Sequence, residues 1–561
     1  MKTVASQAGV VETEQPRYSR RDTLLTMSGV LLVMLLASLD QTIVSTAMPR
    51  IIADLQGFDR YTWVTTAYLL TSTVTVPIYG KLSDLFGRKD IFITGVVIFL
   101  IGSALSGTAQ SMNMLIVFRA FQGLGAGALL PIAIAVVGDL FTPRERGRWQ
   151  GVTGAVFGIS SIIGPTVGGW LTQYASWRWV FYVNLPIGIV ALLVLIFLMP
   201  TLSSAVTNAS IDYIGAALLV LGTVPLLLGL SAVGTQYALL SPQILGLLAL
   251  AVLALTAFVL YEAMLERRKG QPIIEPSLFK NRIFLVSTIA TMVFGMSLFA
   301  NIFFIPLFIQ GVIGTSIANS GLILTPLTLT SVVGSVISGQ LVSRLGRYKW
   351  LALSGMGISL IGALLLLGLN ISSTNTTVLI AMLVMGLGMG TGMALYSLIV
   401  QNALPTKIGQ ATAALTFFRS IGGTIGLAAM GSVMNAVYFP AFQSALPTGV
   451  KQAVPAKVLA AFSNPQALLS PDVLAQLRTA LASLGAQGPA LFNYVTAAMR
   501  EGLVQSLHDV FSVNALLLAI GLVAVFFLPE IALRGGSPHR VDEGVEQEVP
   551  TAASEAAHPA Y

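Results

Sequence analysis

The chain is expected to be an all-α membrane protein, with fourteen transmembrane helices arranged as two pseudo-symmetric bundles of six and an inserted pair between them. Three observations lead there. Of 561 residues, 55% are hydrophobic and 9% charged, and the mean hydropathy is +0.83; in soluble domains about a quarter of residues are charged. Fourteen apolar stretches follow one another, each near the roughly 20 residues that carry a helix across the hydrocarbon. Two short motifs recur in the second half at nearly equal offsets, the mark of a duplicated body.

The stretches lie near 24–48, 62–80, 90–109, 113–138, 150–173, 178–199, 212–232, 241–262, 284–310, 318–341, 350–369, 376–398, 409–437 and 505–528. The polar segment 1–23 carries Arg17, Arg20 and Arg21 before the first of them. That first stretch is too long for a signal peptide and lacks a small-residue cleavage site, so it is expected to be a retained span. The basic residues then fall on one side of the membrane. Lys81, Arg88 and Lys89 share it with Arg144, Arg146 and Arg148, with Arg267, Arg268, Lys269, Lys280 and Arg282, with Arg344, Arg347 and Lys349, and with Lys407. The opposite loops near 110, 235, 314 and 372 carry no Lys or Arg; the positives on that side are Arg50, Arg60, Arg178 and a sparse set in 438–503. Because basic loops stay inside, this predicts a multi-pass protein of the cell membrane with both termini cytoplasmic. The net charge of +7 is thus topological, and no nucleic-acid partner is implied.

GKLSDLFGRK at Gly80 to Lys89 returns as GQLVSRLGRYK at Gly339 to Lys349, and GLGAG at Gly123 to Gly127 as GLGMG at Gly386 to Gly390, offsets of 259 and 263. Spans 1–6 therefore match spans 9–14. The expected organisation is a tail (1–23), a first six-helix half (24–200), an inserted two-helix segment with its linkers (201–282), a second half (283–529) that includes a long outer loop (438–503), and a disordered tail (530–561). Within the outer loop, SPDVLAQLRTALASL has Ser470 as N-cap, Pro471 at the first helical position, and Val473, Leu474, Leu477, Leu481 and Leu484 at helical spacing. This predicts a surface helix lying on the outer face of the body or at the lipid interface. The last residues are rich in Ala, Glu, Pro and Gly, a composition that does not build a core.

Composition also excludes chemistry. There is no cysteine, which removes disulfides, thiolate metal sites and cysteine nucleophiles. His508, His539 and His558 fall at a helix start or in the tail, and no GxxxxGK[ST] phosphate loop is present. Neither an enzyme nor a metal, ATP or other cofactor is expected. What remains is a pair of embedded charges. Arg119 sits in FRAFQGLGAGALLPIAIAVV and Asp40 in VLLVMLLASLDQTIVSTAM, and an ionisable group at such depth is costly unless answered. At about 1.5 Å per residue, Asp40 lies roughly 13 Å and Arg119 roughly 10 Å below the outer ends of their spans. An embedded acid met by an arginine is what a proton-exchange site needs, while a static ion pair joining spans 1 and 4 would look the same. In the duplicated half Met382 replaces Arg119, Ser343 replaces Asp84, and Asp40 maps near Asn301.

GKLSDLFGRK resembles the signature loop between spans 2 and 3 of the major facilitator superfamily. The resemblance implies a cytoplasmic gate built from Gly80, Asp84, Gly87, Arg88 and Lys89. LIVFRAFQGLGAG resembles the family's fourth-span motif. GISSIIGPTVGG resembles the fifth-span antiporter motif and assigns Gly158, Gly164, Pro165, Gly168 and Gly169 to it, with Ser160 where many members carry glycine. The Gly-Pro pair is expected to bend the helix and the glycines to admit a close neighbour. LDQTIVSTAMPRI, WRWVFYVNLP and FFRSIGGTIG resemble the fourteen-span drug:proton antiporter branch, the QacA and EmrB type. This implies a multidrug efflux transporter with the major facilitator fold. It would export lipophilic or monocationic small molecules across the bilayer in exchange for protons, by alternating access and as a monomer, with Asp40 and Arg119 as the proton-coupling pair. No extra acid lies in 318–341 or 409–437, which disfavours dications. Export of an endogenous lipid or secondary metabolite on the same fold is the alternative. The substrate cavity is expected among second-half residues Asn301, Phe304, Gln310, Tyr396, Gln401, Phe417, Phe418 and Arg419, with Arg419 leaning on polar groups such as Gln310, Thr325, Gln401 and Asn402.

Overall fold

The computed structural model describes residues 19–55, 60–201, 210–233, 237, 240–314, 324–454, 459, 468, 471–482 and 487–533. Its helices are α1 (Arg20–Leu55), α2 (Tyr61–Phe86), α3 (Arg88–Gly107), α4 (Met112–Leu140), α5 (Pro143–Tyr174), α6 (Trp179–Tyr182), α7 (Asn184–Leu198), α8 (Tyr213–Ala232), α9 (Pro242–Arg267), α10 (Arg282–Phe308), α11 (Thr325–Leu345), α12 (Lys349–Leu367), α13 (Asn375–Ala403), α14 (Ile408–Ala445), α15 (Thr448–Ala453), α16 (Pro471–Ala482) and α17 (Gly488–Phe526). A 3-10 turn at Pro276–Lys280 precedes α10, and a π turn at Ile309–Ile313 extends it. No strand occurs among the described residues.

Thirteen of these segments are long and apolar enough to cross a membrane, α6 and α7 counting as one. α2 makes the fourteenth by length and position. Thr62, Thr65, Thr66, Thr71, Ser72, Thr73 and Thr75 dilute its hydropathy, yet the hydroxyls of Thr71, Ser72 and Thr75 are answered within the bundle. Thr71 Oγ1 donates to Ala67 O of its own helix and at 2.8 Å to Ala120 O of α4. The sixth span is broken at Val183 for a covalent reason: Pro186 has no amide hydrogen and clashes with the carbonyl four residues back, so the chain restarts its helix at Asn184.

The two halves repeat one packing scheme. α2 and α3 both pack on α4 as α11 and α12 pack on α13, α1 on α5 as α10 on α14, and α7 joins α1 and α3 as α17 joins α10 and α12. Glycines hold the register: a methyl on Gly125 would strike the backbone of Gly95 and Phe99, and one on Gly388 the backbone of Gly355 and Ser359. Small residues here let two backbones touch, which is how helices associate where lipid removes the hydrophobic drive. The halves meet along two seams, α5 against α11 and α14 against α2. The first runs through Gly147 on Gly339, Gly151 on Val336, Gly154 on Ser335 and Gly158 on Val332; the second begins at Gly80 on Ala413. These contacts run from the end of the bundle that carries the basic loops to about the middle of α5. The hairpin α8–α9 lies on the second seam, where Leu219 and Phe258 pack with Val76, Ala413, Phe417 and Ile421.

Several expectations are corrected. The first helix begins at Arg20, so 20–23 belong to it rather than to the tail. Most of the outer loop is helix: α14 continues to Ala445 and α17 starts at Gly488, so 438–503 extends the second half's core outward. Tyr438, Phe442, Leu477, Leu481, Val495 and Met499 are buried in one cluster with the membrane-level residues. The predicted surface helix is α16, packed on α17 through that cluster; its cap Ser470 and the side chains of Val473 and Leu484 lie outside the described residues. His508 is interior to α17, not at a helix start. In the 530–561 segment, residues to Leu533 are placed, with the Ile531 amide donating to Tyr348 Oη, which itself donates to Pro529 O; the rest, and 1–18, lie outside the described residues. The paired glycines give a symmetric expectation. Gly125→Val and Gly388→Val should each destabilise the purified protein by about 1–3 kcal/mol, read as similar losses of melting temperature in detergent.

Candidate functional site

Asp40 and Arg119 meet. Arg119 Nη1 donates to Asp40 Oδ2 at 2.8 Å, with Asp40 0% and Arg119 2% exposed. α1 and α4 pack directly, so the two spans bring their one embedded charge each to the same level. Burying either ion alone costs several kcal/mol, which attraction offsets only when the remaining lone pairs are also satisfied. They are. Asp40 Oδ1 accepts from Gln122 Nε2 at 2.9 Å and Asn184 Nδ2 at 2.8 Å. Gln122 Oε1 accepts from Arg119 Nη1 at 2.8 Å, and Asn184 Nδ2 also reaches Ser103 Oγ at 3.0 Å. The guanidinium carbon lies 4.1 Å from the Tyr68 ring centroid, a cation–π contact that strengthens when desolvated. α1, α2, α3, α4 and α7 thus each contribute one or two groups.

This polar layer divides the core of the first half. On one side lie Leu36, Leu100, Ala128 and Ala191; on the other, Leu39, Ala109, Leu115 and Phe181. Arg119 Nε and Asn184 Oδ1 are buried without a partner, so the network holds spare donor and acceptor capacity at its centre. At the matching level of the second half there is no charge. Met382 is buried, and Asn301 Nδ2 finds only Ser297 Oγ at 3.4 Å and Met389 Sδ at 3.8 Å.

Most of the residues expected to form a cytoplasmic gate meet at the foot of the second seam. Gly87, with φ of 97°, turns the chain between α2 and α3, a backbone conformation that glycine adopts without penalty. Asp84 accepts from the backbone amides of Gly409 at 3.2 Å and Gln410 at 2.7 Å, a carboxylate on the N-terminus of α14 from the other half. Arg88 binds Asp84 at 2.5 Å and Asp139 at 2.7 Å, and Ser83 Oγ at 2.7 Å. Lys89 Nζ instead donates to the Ile196 and Met199 carbonyls, both at 2.7 Å, closing the end of α7. A further acid, unforeseen from the sequence, joins them. Glu275, in the linker after α9, bridges Lys81 of α2 at 3.6 Å and Lys407 at the start of α14. The buried Gln410 side chain donates to Ile273 O at 2.7 Å and Pro272 O at 3.3 Å. The linker is therefore bonded to both halves.

The fifth-span glycines serve two surfaces. Gly158 faces Val332 across the seam, while Gly164 and Gly168 face Thr42 and Thr46 of α1, one turn from Asp40. Thr42 Oγ1 lies 3.3 Å from Ser160 O. Pro165 stays within a continuous helix. Gly169 is the exception: nothing lies within 4 Å of a methyl placed there, so the close neighbour expected for it is absent.

The residues proposed for the cavity fall in different parts of the second half. Asn301, Phe304 and Tyr396 belong to the packed interior of the second half, with Tyr396 6.0 Å from the Phe294 ring. Gln401 is spent on the Ile134 carbonyl at 3.2 Å and Thr412 Oγ1 at 3.1 Å near the gate. Phe417 and Phe418 pack under the hairpin, Phe418 5.7 Å from Phe279. Gln310 lies in the π turn. Arg419 is half-buried, and among the described residues its guanidinium has no partner, so the companions expected for it do not reach it. The sequence reading also passed over Gln122, Asn184 and Ser103. Gln122 carried a signal, one turn beyond Arg119 on the same face, and Asn184 stood beside Pro186 in an apolar span.

Residues 30–427 match the family model described as Major Facilitator Superfamily. The chain is 38% identical over 542 residues to the multidrug transporter protein MdtP of Bacillus subtilis (strain 168), covering 93% of this chain and 95% of that one. It is also 38% identical over 455 residues to multidrug resistance protein 3 of the same organism, covering 81% and 87%. The crystal structure of the human organic anion transporter MFSD10 (TETRAN) superposes with a TM-score of 0.56 at 16% identity, over 88% of this chain and 99% of that one, a likeness of fold.

Two outcomes follow from the geometry. Arg119→Met should destabilise by about 3–5 kcal/mol because it strands a buried carboxylate, whereas Asp40→Asn with Arg119→Met, which copies the uncharged chemistry of the second half, should regain most of that in thermal unfolding. Glu275→Gln should loosen the inner seam. With no native cysteine, maleimide labelling of Ser335→Cys, a position 6% exposed between the halves, should then accelerate severalfold.

Proposed function

The chain belongs to the major facilitator superfamily, and on that premise we propose that it is a secondary active exporter that moves lipophilic or monocationic small molecules out of the cell in exchange for protons. The observation that carries this reading is the sealed Asp40–Arg119 pair, set in a network of five helices in one half and replaced by uncharged groups in the other. A merely structural pair would serve either half equally; an exchanging acid needs only one. Protonating Asp40 removes the charge that holds Arg119 and leaves the guanidinium with Gln122 and the Tyr68 ring. Because Gly164 and Gly168 clasp α1 beside Asp40 while Gly147 to Gly158 of the same helix form the seam with α11, a shift of α1 is passed along α5 to the surface between the halves. Coupling then means that the proton and the cargo favour different arrangements of one two-state body.

The names of the relatives support drug export, and a sequence without Asp or Glu in 318–341 and 409–437 agrees with cargo that carries at most one positive charge. The basic loops support placing the Asp84 gate and both termini on the cytoplasmic side. On that assignment the seams close the inner end, and the cargo would leave from the opposite one.

The test is transport by the full-length protein in liposomes. An imposed pH gradient should drive ethidium movement in the wild type, and Asp40→Asn should abolish its dependence on the gradient while leaving the protein folded. Wild-type liposomes that move no ethidium under the gradient, or an Asp40→Asn variant with the full pH dependence, would overturn the reading.

A further inference from the structure

Outside the Asp40 network lies a second buried acid, Glu262, in the last turns of α9. It is 0% exposed, and neither carboxylate oxygen has a hydrogen-bond donor. It faces Asp212, the residue before α8 begins. Gly215 makes the meeting possible: a methyl on its Cα would run into both Asp212 Oδ2 and Glu262 Oε1, so the two oxygens reach the same point beside one bare backbone carbon. Asp212 Oδ2 is also buried and unpartnered. No cation answers them. Among the described residues neither acid has an ion pair, Lys81 on the adjacent α2 is committed to Glu275, and Tyr261, which Arg268 also approaches, faces Asp212.

Two ionised carboxylates cannot share such a place, because like charges at contact distance strongly disfavour each other's ionised form. We propose that Asp212 and Glu262 form a second proton-binding site, holding one proton between them at the inner mouth of the inserted hairpin. The two acids are not placed alike. Asp212 caps α8, and its Oδ1 accepts from the Gly215 amide at 2.7 Å; a helix N-terminus stabilises an anion. Glu262 is the more deeply enclosed of the two and meets Asp212 beside the Gly215 backbone, so it carries the proton and donates it to Asp212. A half-open cavity of about 200 Å³, lined by Ser210, Asp212, Tyr213, Tyr261 and Gln271 among others, reaches Asp212 from the surface and gives the proton its route. When the proton leaves, the nearest donors for Glu262 are the amides of Ile273 and Ile274. Those residues begin the linker that carries Glu275 to Lys81 and Lys407, so occupancy of this site bears on the gate.

The experiment uses full-length protein in lipid nanodiscs, with infrared difference spectra taken between mildly acidic and alkaline buffer. A protonated-carboxyl band is expected at neutral pH. It should vanish in Glu262→Gln, shift in frequency in Asp212→Asn, weaken in Gly215→Ala, which pushes the oxygens apart, and persist in Asp40→Asn. Thermal unfolding supplies a second readout. The folded state keeps a proton that ordinary carboxyls of the unfolded chain have already released, so wild-type stability should fall as pH rises through its loss, and Glu262→Gln, which has the shape of the protonated acid, should lack that fall. A wild-type spectrum with no such band, a band unchanged in Glu262→Gln, or a stability that follows sodium at fixed pH would each overturn the site. None of these readouts depends on which cargo the protein exports or on whether Asp40 couples it.

Discussion

An arginine that cannot lose its charge, placed inside an apolar helix, is the constraint around which the first half is organised. A permanently charged group at that depth must be neutralised and hydrogen-bonded, or the helix that carries it is unstable in the membrane. Asp40 supplies the charge, but one carboxylate is not enough; its own lone pairs need donors. Gln122 and Asn184 meet that need, with Ser103 accepting the second bond of Asn184, and each must come from a particular helix at a particular height. Asn184, the first residue after the interruption that Pro186 imposes, stands at the level of this layer and joins it. The second half, without the arginine, needs none of this, and fills the corresponding level with Met382 and Met389.

The same asymmetry appears at the inner ends of the seams. Gly80 and Gly339 occupy equivalent places and make equivalent close approaches. Only the first is followed by an acid, Asp84, that can reach the N-terminus of a helix in the other half. Where the repeat has Ser343, the seam between α5 and α11 relies on glycine packing. One seam is therefore polar and breakable by charge, and the other is steric. A duplicated body has become a hinge with two unlike sides.

The spans, the repeat and the embedded pair were legible in the sequence because each is a one-dimensional pattern: a hydropathy run, a constant offset, a charge in an apolar string. Partners fixed by three-dimensional height were not. Glu262 passed as the polar end of a span, since nothing in the linear string says that residues 273 and 274 fold back over it. The sequence marks 438–503 as an outer loop that holds one surface helix; its helices share one buried cluster with the membrane-level core, and tertiary packing outweighs local composition. The cavity residues were chosen by type alone. Polarity in an apolar helix is as often consumed by a neighbouring carbonyl, as Gln401 shows, as it is offered to a ligand.

The linker from Arg268 to Asn281 joins the hairpin to the second half, but it is also fastened to the first through Glu275 and Lys81, and its Ile273 and Ile274 are buried between hairpin and seam. A chain pinned at both ends has a finite reach. However the two bundles rock, their inner ends can separate only as far as this short span pays out before its anchors must let go. In the transport cycle proposed above, the insertion would act as a mechanical stop that limits the stroke between the halves and keeps the hairpin with the moving parts.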